Sequence, residues 1–155
     1  ATSQSAGMDI RASIESGEST VGFNNRNEQV FRQHRDRVDS GKSFVYLEPG
    51  DRVLISTGIH ANIPEDYYLA IHARSGTSWK QGLILTNGVA VIDSDYVDEI
   101  KVSLTNVSGV RVAIEDGERI AQFVLMPVLP ILVDTLSDKP KAKTERKGGF
   151  GSTGK

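Results

Sequence analysis

The stretch richest in chemistry in this 155-residue sequence is Asn87-Gly88-Val89-Ala90-Val91-Ile92-Asp93-Ser94-Asp95-Tyr96. Two carboxylates and a tyrosine follow directly on an apolar run. A carboxylate held on a turn can orient a water and take its proton. An aromatic ring beside it can lie against a sugar. Val89, Val91 and Ile92 predict a buried strand, and Gly88 is where the backbone turns back on itself as a tight hairpin. Such a turn offers main-chain N–H and C=O groups to a flat ligand. Taken alone, the stretch reads first as a solvent-facing acidic turn after a core strand. Its company elsewhere in the chain changes that reading.

Two other places carry chemistry. Asp9 stands between Met8 and Ile10 on an expected short strand over residues 5–13, so its carboxylate points opposite to theirs, toward a surface or cleft. At the other end, residues 138–155 hold Lys139, Lys141, Lys143, Arg146 and Lys147, then Phe150 among glycines. Four glycines and no strand pattern predict a flexible arm. An aromatic set between glycines, just after an arginine, suits an arm that folds down on a flat anionic ligand.

The whole chain narrows the classes. Its length suits one domain with a proper core. Eighteen Lys and Arg against twenty Asp and Glu give a net charge of −2, which argues against a general nucleic-acid binder. With no cysteine there is no disulfide framework, thiol nucleophile or cysteine-held zinc. His34, His60 and His72 lie far apart, without metal-ligand spacing. No apolar run approaches membrane-spanning length, and the first residues do not form a signal peptide, so a soluble intracellular (cytoplasmic) protein is expected.

The elements that must position these residues are mostly strands. Residues 44–47, 53–57, 67–73, 83–86, 100–107, 110–114 and 119–126 are short and rich in β-branched or aromatic residues, with turn residues between them. That spacing predicts an all-β sandwich or jelly roll. One helical turn is expected over 75–81. Residues 14–43 are polar, and within them Val30, Phe31, His34 and Val38 have helical spacing. Asn27 caps the start and Ser40-Gly41 closes the end, which predicts a short amphipathic helix in a surface excursion. Residues 130–136 are almost wholly apolar, as in a final core strand or a surface covered by another subunit. The domain expected is 1–137, with an insertion at about 14–43, followed by the arm.

Five segments then fall in order: Ala6-Gly7-Met8-Asp9-Ile10, Ala73-Arg74-Ser75-Gly76, the stretch ending Ile92-Asp93-Ser94-Asp95-Tyr96, Gly117-Glu118-Arg119-Ile120-Ala121-Gln122, and Arg146 with Gly149-Phe150-Gly151-Ser152-Thr153-Gly154. Their order and spacing resemble the five motifs of the trimeric dUTP pyrophosphatases, the dUTPases. The resemblance implies hydrolysis of dUTP to dUMP and pyrophosphate on a β jelly roll. It also implies a homotrimer with shared sites, and Mg²⁺ carried on the triphosphate. Under it, Asp93 matches the carboxylate that activates water, and Tyr96 the ring that packs on deoxyribose. Asn87 and the backbone from Gly88 to Val91 would face the uracil edge. Arg74, Ser75, Gly76 and Gln122 match phosphate-side donors. Asp9 matches the carboxylate that helps hold hydrated Mg²⁺, usually through water. Arg146 would meet the γ-phosphate, and Phe150, with Gly151 and Ser152, would cover the uracil when the arm closes.

The sequence departs from that pattern in places. Ala90 and Asp98 stand where the family usually has glycine; aspartate tolerates a left-handed backbone better than most residues. Arg146 precedes Phe150 by four residues, where five is usual. The sequence starts at the first motif, without the strand the family carries before it, and 14–43 replaces a short connection. Two other readings stand beside a dUTPase: a dCTP deaminase of the same fold class, and a dUTPase scaffold that binds a regulatory protein partner through 14–43.

Overall fold

The computed structural model describes residues 2 and 4–129, with isolated positions 131, 138, 141 and 143. The described chain is nearly all β. Its first six strands are β1 (Met8–Arg11), β2 (Ser19–Phe23), β3 (Gln29–Gln33), β4 (Arg35–Asp36), β5 (Ser43–Leu47) and β6 (Arg52–Ile59). After them come β7 (Tyr67–Ala73), β8 (Leu83–Leu85), β9 (Ala90–Ile92), β10 (Ile100–Asn106), β11 (Val112–Glu115) and β12 (Arg119–Pro127). Between β7 and β8, Thr77–Gln81 makes a single helical turn, ended by Gly82 at φ 68°.

All strand pairs are antiparallel. They form three sheets, in the orders β1-β12-β7-β9, β3-β2-β6-β10-β8 and β11-β5-β4. Side-chain alternation explains the packing: in β10, Ile100, Val102, Leu104 and Asn106 are buried and Lys101 is exposed. Ile10, Leu47, Ile55, Ile71, Leu104 and Ile120 come from all three sheets into one core and are almost wholly buried. Each such side chain contributes about 1.5–3 kcal/mol by leaving water.

Residues 14–43 correct the expected helix. They contain the β2–β3 hairpin and then β4. Asn24 closes the hairpin turn, its side-chain oxygen accepting from the N–H of Arg26 at 2.9 Å and of Glu28 at 3.0 Å. Asn27 takes φ 62°, a left-handed value that asparagine tolerates. Local side-chain bonds of this kind compete with a helix and win here. Val30 and His34 lie in a half-buried row, whereas Phe31 points outward and Val38 sits in an exposed turn. Gly22 lets β2 meet β6, because a Cβ there would come within 2.3 Å of the Arg52 carbonyl oxygen.

The stretch from Asn87 also differs from the expected hairpin. β8 pairs with β10 whereas β9 pairs with β7, so the turn at Gly88, φ 71°, arches between two sheets. Val89, in the bend before β9, and Val91, on its outward face, are 47% and 58% exposed, not buried, while Ile92 packs against the core. Asp98 does not take a left-handed backbone; Asn27 is the one non-glycine residue that does among those described. Apart from the isolated positions, the apolar segment 130–136 and the arm 138–155 lie outside the described residues.

Candidate active site

Asp93-Ser94-Asp95-Tyr96 is a four-residue turn directly after β9, closed by the Tyr96 N–H to the Asp93 carbonyl at 3.2 Å. The turn leaves the Asp93 side chain exposed. Tyr96 is fixed at its far end, where its hydroxyl donates to the Glu99 carbonyl oxygen at 3.0 Å, and the residue remains 40% exposed. A ring anchored by its hydroxyl presents a flat apolar face. Asp93 and Tyr96 line an open cleft of about 770 Å³ with Val91, His60, Asp98 and Glu99. Asn87 and Gly88 sit exposed at the preceding arch.

A second cluster gathers where β1, β7 and β12 meet. Their register sets Asp9 opposite Gln122, and Gln122 opposite His72. The Asp9 carboxylate accepts from Arg74 Nε at 2.7 Å and from Arg119 Nη1 at 3.2 Å. Partial burial pushes that carboxyl up, but Arg74 and then Arg119, through hydrogen bonds and charge, outweigh it and hold it below the ordinary value. Gln122 donates to the Ala73 carbonyl at 3.1 Å. Ser75 and Gly76 are exposed at the head of the helical turn, where backbone N–H groups have no earlier turn to bond. Beside them, Arg74, Lys80 and Arg119 line, together with Glu118, a cleft of about 280 Å³, a net cationic setting fit for phosphate oxygens.

The two clusters do not meet within one chain. β9 pairs with β7 so that Ile92 faces Leu69, which places Asp93 one residue further on, level with Tyr68. Arg74 lies just beyond the opposite end of β7. Six residues at a rise of about 3.3 Å put them roughly 20 Å apart along the strand. Asp93 and Arg74 therefore stand near opposite ends of β7.

Among the described residues no group of three or more His, Cys, Asp or Glu side chains is placed to hold a metal ion. Asp9 spends both oxygens on guanidinium groups, an environment that does not fit direct ligation of Mg²⁺. It leaves lone pairs for water, and so fits only a hydrated ion brought in with a ligand.

Several useful residues were not singled out in the sequence. Arg119 lay inside the Gly-Glu-Arg segment, where its type was the available signal. Glu99 and His60 carried none, because a charged residue at a strand start or end reads as solvated surface. Of the expected site residues, Arg146, Phe150, Gly151 and Ser152 lie outside the described residues.

This all-β frame is that of the dUTPase-type nucleotide hydrolases. A Staphylococcus bacteriophage 80alpha dUTPase solved with dUpNHpp matches with a TM-score of 0.72, over 99% of this chain and 89% of that one; at 21% identity the likeness concerns the fold. The Streptococcus mutans dUTPase matches with a TM-score of 0.62 and 27% identity, over 86% and 85% of the two chains. The dUTPase family profile covers residues 41–154, and the chain belongs to this family. The deoxyuridine 5'-triphosphate nucleotidohydrolase of Hydrogenobaculum sp. is 49% identical over 111 residues, 71% of this chain and 76% of its own. The enzyme of the same name from Wolbachia sp. subsp. Brugia malayi is 37% identical over 100% of this chain, the 14–43 segment included, and 83% of its own. A phage phi11 dUTPase of the same fold coordinates a structural Mg(II) ion.

Proposed function

We propose that this chain hydrolyses dUTP to dUMP and pyrophosphate as a jelly-roll homotrimer whose sites combine residues from several copies. One observation carries the reading in a family of dUTP nucleotidohydrolases: a single turn offers an exposed carboxylate and the open face of an anchored tyrosine. The roughly 20 Å between that turn and the cationic cluster supports a shared site, because a second copy must supply what one chain keeps apart.

Asp93 orients a water toward the α-phosphorus and takes its proton as the oxygen–phosphorus bond forms. The bond to the bridging oxygen breaks, and pyrophosphate leaves. Arg74 with Ser75, Gly76 and Gln122, from another copy, binds the phosphate oxygens and stabilises the charge that grows on the leaving group. Tyr96 packs on deoxyribose and leaves no room for a 2′-hydroxyl. Asn87 and the backbone from Gly88 to Val91 pair with the uracil edge. A cytosine there leaves buried polar groups unmatched, which costs more than losing an apolar contact.

Asp9 would hold the water shell of an Mg²⁺ ion carried on the triphosphate, and such an ion would supply neutralisation of phosphate charge. The arm then closes over the nucleotide, Arg146 meeting the γ-phosphate and Phe150, with Gly151 and Ser152, covering the base. Such an activity keeps uracil out of DNA and supplies dUMP for thymidylate synthesis.

Pyrophosphate release from dUTP, dCTP, dTTP and UTP with Mg²⁺ tests this. Strong preference for dUTP is expected; equal turnover of dCTP or UTP refutes it.

A further inference from the structure

The segment carrying Asp93 and Tyr96 is fastened to β6 through a bulge, and Glu99 is the fastening. In the β6–β10 ladder Ile100 faces Ile59 and Val102 faces Ile55. One residue of β10 thus stands opposite the three residues Ser56, Thr57 and Gly58. Gly58 takes φ 67°, a left-handed value that glycine adopts without strain. Such a bulge leaves N–H groups without ladder partners. The Glu99 carboxylate collects them: its Oε1 accepts from Thr57 N at 3.0 Å and from Gly58 N at 2.9 Å. Lys101 Nζ approaches its other oxygen at 3.6 Å. The Thr57 hydroxyl bonds the Ile100 carbonyl, securing the next residue of the same strand.

The main-chain carbonyl of the same Glu99 accepts the Tyr96 hydroxyl at 3.0 Å. A continuous chain of bonds therefore runs from the Thr57 and Gly58 amides, through the Glu99 carboxylate and backbone, to the far end of the tyrosine ring. His60 adds a second tie, its Nδ1 to the Val97 carbonyl at 3.1 Å.

Resting on the reading of Tyr96 given above, we infer that Glu99 is the positioning residue that sets the tyrosine ring plane, and through it the discrimination between deoxyribose and ribose substrates. Excluding a single hydroxyl demands a ring held to a fraction of an ångström. Tyr96 is partly exposed and sits on a turn, so neighbouring packing does not hold it. The bond to the Glu99 carbonyl does, and that carbonyl is only as fixed as the carboxylate that docks its residue. Glu99 acts through the tyrosine and touches no reacting atom.

The Glu99 carboxylate is ionised at neutral pH. The Gly58 N–H is the largest influence on it and holds it below its ordinary value, against the upward push of partial burial, with Thr57 N–H and Lys101 adding to the effect. The fastening therefore persists across neutral pH and is lost only as pH falls through that lowered value.

The test is the ratio of kcat/KM for dUTP to that for UTP, measured in Glu99→Ala, Glu99→Gln, Tyr96→Phe and Tyr96→Ala. Glutamine keeps an oxygen for the two amides, whereas phenylalanine removes only the anchoring hydroxyl and leaves the bulge intact. Glu99→Ala and Tyr96→Phe are each expected to lower the ratio at least about tenfold, mainly through better use of UTP, with Glu99→Gln restoring most of it. Parental selectivity in Tyr96→Phe overturns the inference, and so does a Glu99→Ala variant that loses rate equally on both substrates. Parental selectivity in Tyr96→Ala instead removes the role given to Tyr96 itself, so the two failures are told apart.

Discussion

Arg74 donates through Nε to Oδ1 of Asp9 at 2.7 Å, tying the end of β7 to β1. Nη1 of the same guanidinium donates to the Arg119 carbonyl oxygen at 3.3 Å, and the Asp9 bond explains why a carboxylate belongs in a cationic cluster. Asp9→Asn weakens the hold on Arg74 and should raise KM for dUTP roughly tenfold, the size of one charge-assisted hydrogen bond, with a smaller effect on kcat. Steady-state kinetics read this directly, and an unchanged KM contradicts it.

The same pair gives a pH dependence with a definite sign. The Asp9 carboxyl is held below its ordinary value in the folded protein. Its contribution to stability is therefore fully present above the ordinary carboxylate value of about 3.9, and is lost as pH falls through the lower folded value. Thermal unfolding of the parent and of Asp9→Asn from pH 6 downward should converge at the acid end. Curves that stay parallel throughout refute the linkage.

Asp93→Asn should lower kcat by roughly 10² to 10⁴ through loss of the general base. Binding of a non-hydrolysable dUTP analogue should persist, since the proposed phosphate and uracil contacts lie elsewhere. A near-parental kcat would pass the role to Asp95 or to no carboxylate at all.

The β2–β3 hairpin is expected to be part of the folding unit. Arg32 bonds the Asp51 carboxylate through both Nε and Nη2 at 2.7 Å, and Asp51 is 1% exposed. Asp51 also accepts the Glu48 N–H at 2.8 Å. Arg32→Ala leaves a buried carboxylate without its cation and should destabilise the fold by about 3 kcal/mol. Urea denaturation measures it; a change below about 0.5 kcal/mol, as for an ordinary surface residue, would detach the hairpin from the core.

Much of the strand order was legible because each strand with one face on the core alternates. Residues 67–73 were readable to both ends, since Tyr67–Ala73 holds a compact apolar run between turn residues. The hairpin at 19–33 was not, because Val30, Phe31 and His34 match a helical spacing by coincidence. The deciding bonds come from the Asn24 side chain to the backbone. Ile92 packs against the core as expected, whereas Val89 and Val91 were misread as buried, because Val91 takes the outward position of an alternating strand and Val89 precedes that strand. Asp93 and Tyr96 were legible from residue type and spacing. Glu99 was not, since its meaning depends on a bulge in a strand some forty residues away.

One chain keeps Asp93 and Arg74 near opposite ends of β7, and under the proposed function a site forms only between copies. Subunit mixing tests it most directly. Asp93→Asn and Arg74→Ala are each assayed alone, then unfolded together at equal amounts, refolded and assayed again. Random assortment pairs an intact Arg74 with an intact Asp93 in about a quarter of shared sites, so activity should return to about that fraction of the parent. A mixture no more active than the two variants measured separately would place the whole site within a single chain.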